Sequence, residues 1–315
     1  MDKTEEQRVM EKYKLTDAER LATATKLFEM LTYGKQTSNR PFATIVLGQP
    51  GAGKSGLMSF TSNQFPTSVA LDIDDLREHF PKEKKAMLER EDAGSYERVT
   101  GAFATDMVIT FLTPWLIESK YDLILHKTRA DDRIITDTVE PLQADGYEIV
   151  LRVLAVHELE SKMSALERSL AQRKKIGYCR WVETKYHNDQ YQGILDIASR
   201  LEDQIDAMEV YVRGEIPVEP RLVYSKVYNP SLFSNPHMMT ADGMPVIVDY
   251  QTDKFPTVNS AIQSARDKEV DNILETIPGR IKNAGTMTQP NDRAHEFIGE
   301  IQNLQKIYTN KYDAE

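Results

Sequence analysis

The chain has 315 residues, of which 40% are apolar and 28% charged, and its formal net charge at pH 7 is −10. This composition is typical of a globular protein with a substantial buried core, and it excludes a disordered or fibrous chain. An acidic chain lacks the basic face that nucleic-acid binding requires, so we expect no nucleic-acid partner.

The N-terminal segment, MDKTEEQRVMEKYKL, is charged where a secretory signal would be apolar. No apolar run approaches the eighteen residues that a membrane span requires, so we expect no membrane partner. Cys179 is the only cysteine, which excludes an intramolecular disulfide and a cysteine-rich metal site. These features predict a cytoplasmic protein.

An N-terminal helical segment is predicted before the first strand. Thr16 and Glu19 have the spacing of a capping box, in which a hydroxyl and a carboxylate satisfy free amides at a helix start. Apolar residues then recur at helical spacing from Leu21 to Leu31, and Gly34 ends the pattern.

From Phe42 onward, short apolar runs alternate with helical patterns. The predicted elements are strand 42–47, a helix from Lys54, strand 68–72, helix 95–119, strand 121–125, helix 133–144, strand 147–156, and helices 158–176 and 183–207. This alternation favours an α/β fold of the P-loop NTPase or kinase-like class, a parallel sheet flanked by helices and joined by right-handed crossovers.

The last third of the chain changes character twice. The segment MEVYVRGEIPVEPRLVYSKVYNP is β-rich and broken by glycine and proline, which predicts a final strand or hairpin. Polar helical patterns follow at 260–276 and 293–309. We therefore divide the chain into a kinase-like domain that includes the N-terminal helices, residues 1–250, and a helical C-terminal extension, residues 251–315.

The stretch GQPGAGKS follows strand 42–47 and precedes a helix, and it satisfies the phosphate-loop pattern Gly-x-x-x-x-Gly-Lys-Ser. Glycines let the backbone curl so that successive amides point at phosphate oxygens, and the helix N-terminus adds a positive dipole. We expect Lys54 to meet the β- and γ-phosphates and the Ser55 hydroxyl to ligate Mg²⁺. The predicted nucleotide-binding residues are Gly48, Gln49, Pro50, Gly51, Ala52, Gly53, Lys54 and Ser55.

Asp74 follows the second predicted strand and lies twenty residues after Lys54. The carboxyl end of the neighbouring strand opens into the crevice where a second substrate would sit. An aspartate there can accept the proton of an attacking hydroxyl. The alternative role is a helix cap, which Asp72 or Asp75 could also supply.

The third strand runs into LILHKT, so His126 and Thr128 are expected to reach the same crevice. A lone histidine at a strand end is also common as a packed, hydrogen-bonded residue. Position alone does not decide whether His126 is a site residue or a packed structural residue.

Basic residues gather around the end of one predicted helix and the start of the next. They are Arg168, Arg173, Lys174, Lys175 and Arg180. They could form a solvated helix face that complements the helix dipole, or a lid whose cations stabilise phosphoryl transfer.

With these residues assembled, the sequence resembles the zeta toxin family, the P-loop kinases of bacterial epsilon/zeta toxin–antitoxin systems, over about residues 16–190. The GQPGSGKT-like loop of the family is similar to GQPGAGKS here. Its Asp-x-Asp with a following His-Pro is similar to DIDDLREHFP, and its strand ending Glu-Gly-Thr to LILHKT. The family's Gly-Tyr-Glu segment stands here at 146–148, and its motif arginine falls on Arg168.

The resemblance implies a kinase that uses ATP or GTP with Mg²⁺ to phosphorylate the 3′-hydroxyl of the amino sugar in UDP-N-acetylglucosamine, which inhibits cell-wall synthesis. It also implies a nucleotide-sugar substrate and a small helical antitoxin as partners. The resemblance further implies that Asp74 is the base and that Thr128 contacts the sugar nucleotide. Arg168 and Arg180 would clamp the phosphate, and Asp106 would supply the acidic residue of the acceptor pocket.

The chain departs from the family at the acceptor strand, where His126 and Lys127 replace Glu and Gly. An imidazole cannot reproduce the two-oxygen acceptance of a carboxylate, and Lys127 and Arg129 add positive charge. Arg173 is an alternative to Arg180 as the second arginine that would clamp the phosphate beside Arg168. Two alternatives therefore stay open: a kinase of another nucleotide-linked acceptor, such as a different UDP-sugar or NAD, and a nucleotide-binding protein without catalytic activity.

Overall fold

A computed structural model describes residues 4–81, 84–85, 93–127, 129–176, 181–214, 219–240, 244–247, 255–288 and 293–312. Two residues of the predicted site, Thr128 and Arg180, lie outside the described residues. In the described part, a six-stranded sheet separates two apolar clusters, each of which includes residues from helices.

The six strands are β1 Phe42–Leu47, β2 Val69–Leu71, β3 Leu123–Lys127, β4 Glu148–Leu154, β5 Ala207–Val212 and β6 Arg221–Val227. They lie in the order β2-β3-β1-β4-β5-β6, and all neighbouring pairs are parallel except β5 and β6. The predicted α/β class and the predicted terminal hairpin are confirmed. Every residue of β1 is buried, as expected of a central parallel strand.

The α-helices are α1 Glu5–Lys12, α2 Asp17–Thr32, α3 Lys54–Gln64, α4 Ile73–Leu76, α5 Ala93–Asp106, α6 Thr113–Glu118, α7 Glu140–Ala144, α8 Glu158–Ile176, α9 Thr184–Leu201, α10 Val258–Asp267, α11 Val270–Thr286 and α12 Arg293–Tyr312. A π-helical turn, Met107–Leu112, joins α5 to α6, and another, Ile135–Val139, precedes α7. The predicted capping box is confirmed, because the Thr16 hydroxyl accepts from the Glu19 amide and the Glu19 carboxylate accepts from the Thr16 amide.

Several features differ from the sequence predictions, among them the helix predicted at 260–276, which is two helices, α10 and α11. β3 runs through Lys127 rather than ending at Leu125, because its backbone stays paired with β1 beyond the apolar run. The helix predicted to reach residue 207 ends at Leu201, and Ala207 opens β5. β3 also lies between β1 and β2, so β2 is one strand further from the phosphate loop than predicted.

The C-terminal helices pack against the rest of the chain. Ala261 and Ile262 of α10 belong to the same apolar cluster as Ile45 of β1. Helices α11 and α12 pack on α8, for example through Ile277 and Leu166. The division of the chain at residue 250 remains a prediction from composition, and the packing makes the extension a direct neighbour of α8.

Within the described residues, the helical stretch Ser95–Glu118 is long and apolar enough to cross a membrane by length and composition. Of its most apolar window, 44% is buried, and Val99, Phe103 and Leu116 lie in the core beside the sheet. A core helix meets the same criterion, so this stretch is weak support for a membrane span.

Candidate nucleotide and acceptor site

Glycines shape the loop between β1 and α3. Gly51 and Gly53 have φ angles of +79° and +95°, in the left-handed region that glycine tolerates best. Gly53 precedes the first turn of α3, and no side chain caps that turn. Because the first amides of a helix lack intrahelical partners, the start of α3 is suited to an anion.

Gln49 fixes the loop to α8. Its side chain is fully buried, and Nε2 donates to the Val156 carbonyl at 2.7 Å and to Ser161 Oγ at 3.1 Å. The approach leaves no room for a side chain at Gly51, since a Cβ there would lie 1.9 Å from the Ser161 carbonyl oxygen. The loop therefore lies directly against the first turn of α8.

Lys54 is 6% exposed, which is unusual for a lysine. Its ammonium donates to the Gln49 carbonyl at 3.0 Å, so the side chain folds back across the loop. Gly48 lies under its stem, because a Cβ at Gly48 would be 3.1 Å from Lys54 Cγ. This arrangement places a cation inside the loop. Pro50 and Ala52 are buried, whereas Ser55 is exposed at the start of α3.

Asp72 and His126 connect the ends of β2 and β3. His126 Nδ1 lies 2.9 Å from Asp72 Oδ2, and the two side chains are only 12% and 13% exposed. Burial would raise the pKa of Asp72, but the hydrogen bond and charge of His126, with the nearby charge of Lys54, hold it below its usual range. Asp72 also accepts from the Asp74 amide at 2.9 Å and caps α4. The capping role is therefore filled by Asp72.

Asp74 is half exposed, and Arg77 Nε lies 3.2 Å from its Oδ1. Arg77 is itself bound to Glu97 of α5 at 2.7 Å and lies against Gly101. Arg77 thus links the predicted base to α5, and it was not among the site residues predicted from the sequence. The three-residue spacing of Asp74 and Arg77 on a helix was the signal that could have indicated the pair.

Asp106 is bound to α2. Arg20 donates to its carboxylate twice, from Nε at 2.8 Å and from Nη2 at 2.6 Å, and this pairing lowers the pKa of Asp106. The pair lines a cavity of about 290 Å³ between the N-terminal helices and α5, with Tyr13, Phe80 and Phe103. The role of Asp106 in acceptor binding remains a prediction.

Lys127 pairs in register with Leu47, the residue before Gly48, so its side chain starts beside the phosphate loop. Burial lowers its pKa against a weaker opposing effect of Asp137. Among the described residues, the Lys127 ammonium makes no hydrogen bond or ion pair, and His126 Nε2 is buried without a hydrogen-bond partner. Arg168 is exposed on α8.

The described residues contain no cluster of three or more His, Cys, Asp or Glu side chains that could hold a metal ion. Magnesium in phosphotransfer sites needs no such cluster, because water and substrate phosphates supply most of its ligands. The exposed Ser55 hydroxyl at the start of α3 fits this donor set.

Residues 26–219 match the family model described as Zeta toxin. Toxin PezT of Streptococcus pneumoniae serotype 4 is 29% identical over 160 residues, which cover 50% of this chain and 62% of that protein. Toxin zeta of Enterococcus hirae is 28% identical over 142 residues, which cover 44% of this chain and 48% of that protein. The aligned part thus spans about half to three-fifths of these relatives.

A solved structure described as the PezAT chromosomal toxin–antitoxin system of Streptococcus pneumoniae aligns with a TM-score of 0.57 at 23% identity. The alignment covers 84% of this chain and 99% of that chain. At this identity the likeness concerns the fold, and it extends beyond residue 219 into the C-terminal part.

We predict that Gly51→Ala destabilises the chain far more than Gly146→Ala. Both glycines have a positive φ, but nothing lies within 4 Å of a Cβ at Gly146. Gly146→Ala should cost about 1 kcal/mol of unfolding free energy, from backbone strain alone. Gly51→Ala should cost at least about 2 kcal/mol more, because the clash with Ser161 displaces the loop, and should abolish ATP binding. Urea unfolding and an ATP titration would measure both effects, and equal costs with intact binding would contradict the prediction.

A second prediction concerns His187, which is fully buried and lies 2.9 Å from Ser161 Oγ through Nε2. Burial, with repulsion from Lys162 and Lys54, lowers the pKa of His187 to about 3. In the unfolded chain, the His187 imidazole takes up a proton below about pH 6.5, whereas in the folded chain it stays neutral. The free energy of unfolding is therefore at its full value above that pH and decreases as the pH falls. Between pH 7 and pH 5, His187 should account for about 2 kcal/mol of lost stability.

The measurement is urea unfolding at pH 7, 6 and 5. His187→Gln should remove this part of the pH dependence, whereas His295→Gln, at an exposed position, should keep it. An unchanged pH dependence in His187→Gln would show that the buried imidazole is not the group responsible.

Proposed function

This chain belongs to the zeta toxin family, and on that premise we propose that it is a kinase of UDP-N-acetylglucosamine. The γ-phosphate of ATP or GTP would pass to the 3′-hydroxyl of the amino sugar. The observation that carries the proposal is the buried Lys54 in a phosphate loop, with the Asp72–His126 pair and Asp74 following the strands on one side of β1.

The nucleotide would bind along Gly48–Ser55. Lys54 would exchange its bond to the Gln49 carbonyl for phosphate oxygens, and the uncapped amides of α3 would meet the same anion. Ser55 would hold Mg²⁺, which when bound neutralises charge on the β- and γ-phosphates.

Asp74 would act at the acceptor. The sugar hydroxyl donates its proton to the Asp74 carboxylate while its oxygen forms a bond to the γ-phosphorus. The bond from that phosphorus to the β,γ-bridging oxygen breaks, and the nucleoside diphosphate leaves with the electron pair. Arg77, held by Glu97, would orient the carboxylate, and Arg168 and Arg180 would offset charge on the transferred group.

We expect the protein to act in the cytoplasm and to have a small helical antitoxin as partner. Support for the partner comes from the family and from the aligned PezAT structure, which its authors describe as a toxin–antitoxin system. The nucleotide site would be the surface to cover, since an antitoxin that blocks it stops transfer.

One observation favours a second candidate, a kinase of a different nucleotide-linked acceptor such as another UDP-sugar or NAD. Where the family has Glu and Gly, this chain presents His126, held by Asp72 through Nδ1, and the half-buried Lys127. An imidazole and an ammonium group suit an acceptor with an anionic group near its reacting hydroxyl.

We predict that Asp74→Asn lowers phosphate transfer to UDP-N-acetylglucosamine by about a hundredfold or more, with ATP affinity largely kept, because only proton acceptance is lost. Asp75→Asn makes the same change at the neighbouring exposed position and should keep most of the activity. Transfer of labelled γ-phosphate and a separate ATP titration would measure the two quantities. Full transfer by Asp74→Asn would overturn the assignment of the base.

A panel of acceptors separates the two candidates. Exclusive use of UDP-N-acetylglucosamine would remove the second, and preference for NAD or another UDP-sugar would remove the first. Binding of ATP without phosphorylation of any acceptor would indicate a nucleotide-binding protein without catalytic activity.

If the acceptor carries an anionic group near its reacting hydroxyl, we predict that Lys127→Gly lowers kcat/KM for that acceptor about tenfold. A loss of this size corresponds to one hydrogen bond to a charged group. Arg129→Gln is the control, because Arg129 is exposed and faces Asp131 at 3.6 Å. Equal losses in the two variants would indicate a general effect of charge and contradict a specific contact by Lys127.

A further inference from the structure

Arg213 follows β5 directly and lies beside the start of α3. A Cβ placed on Gly53 would be 3.5 Å from Arg213 Nε and 3.7 Å from its Cδ. Gly53 is the residue from which α3 begins, so the guanidinium group lies beside the loop that is built to hold phosphate. The side chain is 32% exposed, so a bound ligand can reach it.

One edge of this guanidinium group is held by α8. Arg213 Nη1 donates to Ser164 Oγ at 2.8 Å and to Glu160 Oε1 at 3.2 Å. Both bonds use Nη1, and among the described residues Nε and Nη2 make none. Nε is the nitrogen beside Gly53. A planar fork of this kind matches two oxygens of one phosphate group.

Glu160 is itself held from the other side by the C-terminal extension. Its Oε2 accepts from Arg280 Nη1 of α11 at 2.5 Å. Arg280 is also bound to Glu167, through Nε at 2.9 Å and Nη2 at 2.6 Å. The carboxylates of Glu167 and Glu160 raise the pKa of Arg280, which keeps it charged. Glu160 thus connects Arg280 to Arg213.

We propose that Arg213 binds a phosphate group of the nucleotide through Nε and Nη2, and that Glu160 and Arg280 are positioning residues for it. The extension after residue 250 then contributes to the nucleotide site through α11. This proposal rests on the nucleotide-binding part of the proposed function, and it is independent of the acceptor.

The test is a titration of the full chain with ATP and, separately, with adenosine. Arg213→Gln should weaken ATP binding about ten- to a hundredfold, because one charged contact is lost. Adenosine has no phosphate, so its affinity should not change. Arg213→Lys keeps the charge without the fork and should bind ATP with intermediate affinity.

Glu160→Gln and Glu167→Gln form a matched pair for the positioning role. Both remove a carboxylate of α8 from Arg280, but only Glu160 contacts Arg213. Glu160→Gln should weaken ATP binding several-fold and leave adenosine binding unchanged, whereas Glu167→Gln should leave both unchanged. Thermal unfolding of each variant establishes that it is folded.

Unchanged ATP affinity in Arg213→Gln, or an equal loss of ATP and adenosine affinity, would overturn the phosphate contact. Equal effects of Glu160→Gln and Glu167→Gln would overturn the positioning role. If the unmodified chain binds neither ATP nor GTP, both this proposal and the proposed function fail. If it binds the nucleotide but phosphorylates no acceptor, only the kinase fails, and the Arg213→Gln titrations still decide the phosphate contact.

Discussion

The contact between the phosphate loop and the first turn of α8 determines how the rest of the site is arranged. Gln49 is buried and bonded to Val156 and Ser161, and Gly51 lies so close to the Ser161 carbonyl that no larger residue fits. A loop held in this way has little conformational freedom left to lose, which would lower the entropic cost of binding an anion.

Helix α8 transmits this constraint to the C-terminal part of the chain. On one face of the helix, Ser161 accepts a hydrogen bond from Gln49 of the loop. Another face packs on α11 and α12 through an apolar cluster. Glu160 and Glu167 add ion pairs to Arg280 across the same contact. The extension is therefore positioned to influence the loop, although composition alone suggested only an appended helical arm.

The sequence predicted the features that depend on local patterns. The phosphate loop, the capping box at Thr16 and the alternation of strands and helices each follow from neighbouring residues and their spacing. Contacts between distant segments were not predictable in this way. Arg20 and Asp106 meet across 86 positions, and Arg213 reaches Glu160 across 53. Three aspartates, Asp72, Asp74 and Asp75, could have capped α4, and the structure shows that the Asp72 side chain does so by accepting from the Asp74 amide.

A kinase of UDP-N-acetylglucosamine must pass the γ-phosphate from the loop to the 3′-hydroxyl of the amino sugar. Phosphorus NMR of the unmodified chain with ATP, Mg²⁺ and UDP-N-acetylglucosamine follows this transfer, because each phosphorus product gives its own resonance. We expect a new phosphomonoester signal on the acceptor that grows as the γ-phosphate signal declines, with little inorganic phosphate. Conversion of ATP to inorganic phosphate alone, or an unchanged spectrum with ATP bound, would show that the chain is not a kinase of UDP-N-acetylglucosamine.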